Sequence, residues 1–246
     1  LMKKIAVVTG GCGFIGSHMV EYLISKNYFI HIIDDMSVGS IQNLKHLNSK
    51  NFKILKKNIV NMNFLPSIFK NAEFVFHFAG KGDIVPSINL PEEYINVNVN
   101  GTLNILRNSV KYQIKKFIYA ASSSCYGIPK KYPTKETENI NPQYPYALSK
   151  YMGEQLVLHW AKVYKIKCNS IRIFNAYGLR SKTTGAYGSV IGTFMKQKIE
   201  KKPLTLVGDG SQKRDFINVK DLVKAFYLSA KSKLNSQIYN VGSGKP

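Results

Sequence analysis

Short apolar runs alternate with longer amphipathic stretches along most of the chain. Six runs have the length and the β-branched or aromatic content of buried strands, and three stretches have the apolar spacing of helices. The predicted strands are 4–9, 29–33, 52–55, 74–79, 117–121 and 168–174, and the predicted helices are 17–25, 91–112 and 146–164. This alternation predicts an α/β fold with a Rossmann-type, doubly wound parallel sheet.

The turn after the first predicted strand is rich in glycine. Gly10, Gly11, Gly13 and Gly16 give the spacing G-x-G-x-x-G with one further glycine in front. In a strand–turn–helix context, such glycines allow a tight turn and close approach of the main chain to a pyrophosphate. Free N–H groups at the helix N-terminus would then bind the phosphates. A plain glycine-rich turn is the alternative.

The acidic residue that ends the second predicted strand supports the dinucleotide interpretation. Asp34 lies close to the expected ~20 residues past the glycines, where a carboxylate accepts hydrogen bonds from ribose hydroxyls. Such a carboxylate repels a 2′-phosphate, so NAD is favoured over NADP. The alternative is that Asp34 only starts a loop, and the adjacent Asp35 leaves the exact assignment open.

Composition and charge narrow the class of protein. The 246 residues include no apolar run of the ~18 residues a membrane span needs, and the start has no signal-peptide pattern, so we expect a cytoplasmic location. Cys12, Cys125 and Cys168 are predicted to be free thiols without metal spacing, and no metal site is expected. The net charge of +21 is spread over scattered lysines, which disfavours a nucleic-acid partner but would attract an anionic substrate.

Residues 1–174 are therefore predicted to form an NAD-binding domain. The remainder, 175–246, is assigned to a smaller substrate lobe, in which 215–241 returns to the sheet. Within it we expect a helix over 190–200, a strand over 204–207 and a helix over 221–230.

Candidate catalytic groups lie at the carboxyl ends of the predicted strands, where ligands bind in such sheets. Tyr146 and Lys150 are four apart at the start of a helix and so share one face. A free tyrosine has a pKa of ~10, so a catalytic base at neutral pH requires a pKa lower by roughly three. The Lys150 ammonium and a positive nicotinamide ring would act in that direction. A hydroxyl at 122–124 would orient the reacting hydroxyl of the substrate.

Taken together, the motifs make the sequence resemble the extended short-chain dehydrogenase/reductases of the nucleotide-sugar epimerase/dehydratase family. The matching blocks are 10–16, 34–37, 77–80, 96–102, 122–127, 146–150, 172–178, 208–210 and 214–216. The resemblance implies Tyr146 as catalytic base and acid, Lys150 as its partner that also holds the nicotinamide ribose, and Ser122 as the catalytic hydroxyl.

The resemblance also implies the binding residues. Cofactor contacts are expected at Gly10, Gly13, Phe14, Ile15, Gly16, Asp34, Asn58, Ile59, Phe78, Ala79, Asn98 and Lys150. Substrate contacts are expected at Ser123, Ser124, Asn175 and Arg214, the last two on the diphosphate; an ion pair of Arg214 with Asp215 or Asp209 is the alternative. Asn58 stands where the family usually has aspartate, and an amide oxygen can still accept a hydrogen bond from adenine.

Reaction type is indicated by the two residues after Ser122. Family dehydratases and decarboxylases carry an acid there, whereas this chain has Ser123 and Ser124. The pattern resembles UDP-sugar 4-epimerases, such as UDP-glucose 4-epimerase. A reductase or dehydratase of the same family, or a binding protein without activity, remains an alternative.

Three further expectations come from the resemblance. The two long helices, 91–112 and 146–164, would form a homodimer, although their apolar residues could equally belong to the core of one chain. Residues 185–188 would lie near the entrance for the nucleotide diphosphate, or form a simple loop. Family members continue well past 239–244, so we expect an incomplete C-terminus.

Overall fold

The computed structural model describes residues 3–181, 190–206 and 208–245. Seven parallel strands form the main sheet: β1 Lys4–Thr9, β2 Tyr28–Asp34, β3 Phe52–Lys56, β4 Ala72–His77, β5 Lys116–Ser122, β6 Cys168–Ile173 and β9 Gln237–Val241. Their order across the sheet is β3-β2-β1-β4-β5-β6-β9. A separate pair, β7 Asn175–Tyr177 and β8 Phe216–Asn218, is also parallel.

Eight α-helices flank the strands. They are α1 Phe14–Ser25, α2 Pro66–Phe69, α3 Ile84–Asn89, α4 Pro91–Ile95, α5 Thr102–Lys111, α6 Pro145–Tyr164, α7 Val190–Ile199 and α8 Val219–Lys231, counted over the described residues. A π-helical turn, Asn96–Gly101, joins α4 to α5. The predicted helix over 91–112 is therefore two α-helices joined by a wider turn.

Side chains on alternate positions of each strand enter two different cores, because successive residues point to opposite faces of a sheet. Ala6 and Val8 pack in the core that α1 and α8 cover, which includes Leu23 and Phe226. Val7 packs in the core on the other face, beneath α5 and α6. With both faces covered, the central strands β1, β4 and β5 are mostly apolar, as is usual for parallel strands buried on both sides.

The sheet order reverses beside β1, and this places the site. From β1 the chain first builds outward through β2 and β3, then returns to add β4 on the other side of β1. A crevice opens at the carboxyl ends of β1 and β4, where ligands bind in open α/β sheets. The six predicted strands are confirmed, and the fold class is the one predicted.

Some parts of the pattern were misjudged or missed. The strand predicted over 204–207 is wrong for 204–206, which have no regular secondary structure; Val207 lies outside the described residues. Leu204 and Leu206 are exposed, and Thr205 bonds instead to the Gln197 side chain of α7. The helix α3 was not predicted, because its six residues include a proline and little periodicity.

Two further findings concern membrane-spanning helices and the cysteines. Within the three described ranges, no helix is long and apolar enough to cross a membrane. Cys12, Cys125 and Cys168 are buried free thiols.

Candidate active site

The glycine turn is built by contacts that exclude side chains. Gly10 has a left-handed φ of +67°, and a Cβ there would lie 2.7 Å from the Ala79 nitrogen. A Cβ on Gly16 would lie 2.0 Å from the Gly10 oxygen, so only glycine lets α1 start this close to β1. Gly13 precedes α1, and no side chain among the described residues caps that end. The first N–H groups of α1 are thus left for an anion.

Asp34 lies at the end of β2 and folds back onto this turn. Its Oδ2 accepts a hydrogen bond from the Cys12 nitrogen and its Oδ1 one from the Met36 nitrogen, both at 2.9 Å. The carboxylate is buried, and a Cβ on Gly39 would meet both of its oxygens at 3.0 Å. Because each oxygen accepts one bond here and can accept more, the group can also receive ribose hydroxyls.

The Asp35 carboxylate binds other parts of the fold than Asp34 does. Its Oδ1 accepts from the main chain and hydroxyl of Ser37, and its Oδ2 accepts a 3.0 Å bond from Asn58 Nδ2. Asn58 Oδ1 accepts from the Val60 nitrogen and so starts a short 3₁₀ turn. The Ile59 side chain is buried against Gly101, where a Cβ would lie 2.5 Å from its Cδ1.

The end of β4 lies directly beside the glycine turn. The Phe78 nitrogen donates to the Thr9 main-chain oxygen, and the Ala79 nitrogen donates to Thr9 Oγ1, both at 3.1 Å. The Phe78 ring packs against Phe226 of α8, with 4.7 Å between ring centroids. The structure therefore brings the predicted cofactor residues of β1, β2 and β4 to one edge of the sheet.

Three hydroxyls meet where β5 ends and α6 begins. Ser122 is buried, and its Oγ lies 2.8 Å from Ser124 Oγ. Tyr146, in the first turn of α6, lies near both serines, whose hydroxyls act to lower its pKa. Ser123 lies between the two serines in the same 3₁₀ turn and is partly exposed. The predicted base and the predicted catalytic hydroxyl are therefore adjacent.

Lys150 lies one turn further along α6 and is buried. Its Nζ lies 4.5 Å from the centroid of the Tyr119 ring, over its face. A Cβ on Gly80 would lie 3.8 Å from this Nζ and 2.8 Å from Asn98 Oδ1, so Gly80 leaves room where Lys150 and Asn98 converge.

The charges in the site differ from the sequence-based expectation. Burial raises the pKa of Tyr146, the hydroxyls of Ser122 and Ser124 oppose the rise, and the Asp83 charge adds to it. Burial lowers the pKa of Lys150 to about 7, although the Glu154 carboxylate opposes this. The expected lowering of the Tyr146 pKa by Lys150 is thus not met. Burial has the largest effect on both groups, and it favours the neutral phenol of Tyr146 and the neutral amine of Lys150.

Asn98 connects the loop after β4 to α6. It lies in the π-helical turn and is buried. Its Oδ1 accepts from the Lys81 nitrogen at 2.8 Å, while its Nδ2 donates to the Lys81 oxygen and to Ser149 Oγ. Ser149 is the neighbour of Lys150, so Asn98 fixes the loop after β4 against the turn of α6 that carries Lys150.

Asn175 and Arg214 lie apart from these buried groups. Both are exposed; Asn175 Nδ2 donates to the Asp215 oxygen at 2.8 Å, and Arg214 Nη1 donates to the Lys213 oxygen. The β7–β8 pairing thereby brings Asn175 next to the segment that carries Arg214. Within the described ranges, neither predicted ion pair of Arg214 forms: Asp215 accepts bonds from Ser243 and Gly244, and Asp209 from Ser211. Residues 185–188 lie outside the described residues.

Sequence reasoning missed two contributors. Asp83 acts electrostatically on Tyr146 from the loop after β4, and no spacing in the sequence relates the two. Gly153 of α6 was also missed: a Cβ there would lie 2.2 Å from Tyr119 Oη and 2.9 Å from the Asn98 oxygen. Its signal, a glycine one turn after Lys150 inside a long helix, was visible.

Comparison with known proteins gives this geometry a family. The sequence model of the NAD dependent epimerase/dehydratase family matches residues 6–242. The chain belongs to the NAD-dependent epimerase/dehydratase family of enzymes, within the extended short-chain dehydrogenases/reductases.

Individual relatives differ in what they do. A UDP-glucose 4-epimerase of Mycolicibacterium smegmatis is 34% identical, over 97% of this chain and 77% of that protein. A UDP-N-acetyl-alpha-D-glucosaminuronate decarboxylase of Bacillus cytotoxicus is 32% identical, over 98% and 76%. The structure of a UDP-N-acetylglucosamine 4-epimerase from Methanobrevibacter ruminantium, in complex with UDP-N-acetylmuramic acid, superimposes with a TM-score of 0.95. It is 36% identical, covering 100% of this chain and 78% of that one.

Proposed function

We propose that this protein is an NAD-dependent nucleotide-sugar 4-epimerase that acts on a UDP-hexose. The observation that carries the proposal is the group of hydroxyls around Tyr146. Ser122 and Ser124 lie next to it and act to lower its pKa, and no carboxylate follows Ser122 in the turn. Epimerisation at C4 needs a proton acceptor and a hydride acceptor but no additional acid. The similarity to 4-epimerases of two organisms supports the same reaction.

The residues at the sheet edge fit NAD. Glycines 10, 13 and 16 leave a cradle that Cβ atoms would fill, and the uncapped first turn of α1, at Phe14 and Ile15, suits a pyrophosphate. Asp34 has lone pairs left for ribose hydroxyls and would disfavour a 2′-phosphate. Phe78, Ala79 and Asn98 would line the nicotinamide side, and Asn58 with Ile59 the adenine side.

Each catalytic group would have one role. Tyr146 would take the proton of the sugar 4-hydroxyl and later return it, with Ser122 orienting that hydroxyl. Lys150 would hold the nicotinamide ribose and favour the tyrosinate. When bound, NAD would accept the C4 hydride and return it to the other face of a 4-keto sugar, and its positive ring would lower the pKa of Tyr146 from the raised value.

The substrate diphosphate would lie near the β7–β8 pair. Arg214 presents an exposed guanidinium, which can hold phosphate oxygens through two parallel hydrogen bonds. Asn175 is beside it, and Ser123 and Ser124 would contact the sugar. The net charge of +21 gives a field that favours an anionic substrate.

The test uses the native protein and three nucleotide sugars. UDP-glucose, UDP-N-acetylglucosamine and UDP-glucuronate are incubated separately without added reductant, and products are identified by proton NMR. We expect the C4 epimer of one of them. Tyr146→Phe should retain NAD and lose turnover by at least about 100-fold, and full activity of this variant would contradict the assignment of the base.

A second candidate is the elimination or decarboxylation chemistry of other family members. One observation favours it: the Asp83 charge reaches Tyr146 from outside the 122–124 turn and could supply the acid that the turn lacks. A 4-keto-6-deoxy product, or loss of carbon dioxide from UDP-glucuronate, would establish it. Asp83→Asn should then abolish that product, whereas it should leave an epimerase active.

We also propose a cytoplasmic homodimer. A groove of about 340 Å³ between α5 and α6 is lined by Trp160 and Tyr164 of α6, by Arg107 and Lys111 of α5, and by Phe64. Light scattering of the purified protein would give twice the monomer mass, and a strict monomer would contradict the dimer.

A further inference from the structure

His77, the last residue of β4, lies at the centre of the site edge but has no role in the proposed chemistry. Its side chain is fully enclosed and contacts the rings of Phe117 and Tyr119. Both ring nitrogens are hydrogen-bonded: Nδ1 lies 2.7 Å from Thr9 Oγ1, and Nε2 lies 2.9 Å from Thr102 Oγ1.

The partners decide which nitrogen carries the proton. Thr102 Oγ1 lies 2.7 Å from the Asn98 main-chain oxygen, which can only accept, so the single hydroxyl proton of Thr102 is used there. Thr102 must then accept from His77, which places a proton on Nε2. Burial, with the nearby Lys150 charge, lowers the pKa of His77 to about 3, so the ring is neutral and Nδ1 accepts from Thr9.

The result is one directed chain of hydrogen bonds. It runs from the Ala79 N–H to Thr9, from Thr9 to His77, from His77 to Thr102, and from Thr102 to the Asn98 carbonyl. In this chain of hydrogen bonds every N–H or O–H group donates to one acceptor. The hydrogen-bond chain starts beside the glycine turn, since Thr9 precedes Gly10, and it ends on the π-helical turn.

Its far end leads to the catalytic helix. The Asn98 side chain bonds to Lys81 and to Ser149, the neighbour of Lys150. The distance between the glycine turn and α6 therefore depends on the size of the His77 ring and on the position of its two nitrogens.

We propose that His77 is a positioning residue: held as the neutral Nε2–H form between Thr9 and Thr102, it sets the distance between the glycine turn and the π-helical turn that carries Asn98. It thereby places the nicotinamide side of the cofactor site against Lys150 and Tyr146. The inference rests on the proposed function for its effect on turnover, and on the structure alone for its effect on cofactor affinity.

The test compares variants of the His77 ring and of Thr102, the partner of its Nε2. Thr102→Val keeps the shape but removes the hydroxyl, and Thr102→Ser restores a hydroxyl. His77→Phe keeps a planar ring without nitrogens. The control is His31→Phe, because His31 is another buried histidine of the same sheet, bonded through Nδ1 to the Ile68 oxygen.

Three quantities are measured on each variant: the NAD dissociation constant by calorimetry, turnover per NAD-loaded molecule, and amide exchange over 79–82 and 96–102. Thr102→Val and His77→Phe should weaken NAD binding and reduce kcat by about tenfold each, with little change in substrate KM, and should speed exchange in both segments. Thr102→Ser should stay within about twofold of the native protein. His31→Phe should lower Tm only.

If Thr102→Val lowers Tm but leaves NAD affinity and kcat unchanged, the proposal is overturned. The hydrogen-bond chain through His77 would then only stabilise the fold. If His77→Phe does not fold, the Thr102 pair still decides. If the native protein epimerises no nucleotide sugar, the proposed function fails, whereas NAD affinity and amide exchange still judge His77.

Discussion

The two halves of the site are built in opposite ways. On the proposed cofactor side, Asp34, Asn98 and Lys150 are buried, and each has its partners within the fold. On the proposed substrate side, Asn175 and Arg214 are exposed and bond only to neighbouring main-chain oxygens among the described residues. The cofactor half is therefore preorganised by the core, while the substrate half presents its groups at the surface.

This difference separates fold from specificity. Groups that serve the same cofactor in every turnover can be fixed in the core, where small changes are expensive. Groups that select a sugar nucleotide can vary at the surface at little cost to stability. Substitutions should then destabilise the protein on one side of the site and alter only substrate affinity on the other.

Gly16→Ala should have the largest effect. The new Cβ would lie 2.0 Å from the Gly10 oxygen and 2.7 Å from its carbonyl carbon, so α1 must move away from β1. We expect a loss of about 3 kcal/mol or more in the free energy of unfolding, and no measurable NAD binding. Urea denaturation and calorimetry measure both.

Gly82→Ala is the matched control for this substitution. A Cβ on Gly82 meets nothing within 4 Å. Its stability should stay within about 0.5 kcal/mol of the native value. An equal loss in both variants would mean that the glycine turn is no more constrained than the loop after β4.

Gly153→Ala should have the next largest effect, on the catalytic side of the preorganised half. Its Cβ would press on Tyr119 Oη and the Asn98 oxygen and push α6 from the π-helical turn. We expect a loss of about 1–3 kcal/mol in stability, together with a lower kcat. A lower Tm with an unchanged kcat per folded molecule would show that α6 tolerates the shift.

Lys150→Met should change how stability depends on pH. The pKa of Lys150 is lowered by burial to about 7 in the folded protein, against ~10.4 in an unfolded chain. Between these values the unfolded chain binds more protons, so this group makes the native protein more stable as the pH rises. The Met variant lacks this gain. Its stability relative to the native protein should therefore fall from about pH 7 to about pH 10.

Chemical denaturation at several pH values measures this difference. A stability difference that does not vary with pH in this range would mean that the Lys150 pKa is ordinary. The preorganised half would then hold a charged ammonium.

Arg214→Ala should have the smallest effect on stability and a clear one on substrate affinity. Its exposed guanidinium contacts only the Lys213 oxygen among the described residues. We expect no change in Tm and a rise of about tenfold in substrate KM, since hydrogen bonds to charged groups contribute about 1.5–3 kcal/mol. Lys213→Ala removes the same charge from the next position and serves as control. Equal KM values in the two variants would mean that Arg214 contributes only its positive charge and makes no specific hydrogen bonds to the substrate.

The strands and the cofactor motifs could be predicted from the sequence because both depend on local patterns. Apolar runs mark strands buried on both faces, and the glycine spacing marks a turn that a Cβ would block. The resemblance to the family correctly placed Ser122 and Tyr146 together, but their electrostatics could not be foreseen. Burial raises the pKa of Tyr146, and the extent of burial depends on packing between distant elements.

The errors have the same origin. Residues 204–206 have the composition of a strand, but they pair with no strand in the part of the chain that the structure describes. Asp83 lies far from Tyr146 in the sequence and acts on it through the fold. Which ring nitrogen of His77 carries the proton is decided by Thr9 and Thr102, which lie far before and well after it in the sequence.

The position of β9 has a consequence for how the protein is made. The outer edge of β6 is paired by a strand from much later in the chain, with the Ser236 nitrogen bonded to the Cys168 oxygen and Gln237 bonded to Asn169. While a ribosome is still synthesising the residues between them, β6 presents an open row of main-chain donors and acceptors. An open edge of this kind can pair with another nascent chain. Until β9 has been synthesised, the open edge of β6 thus exposes each molecule to misassembly.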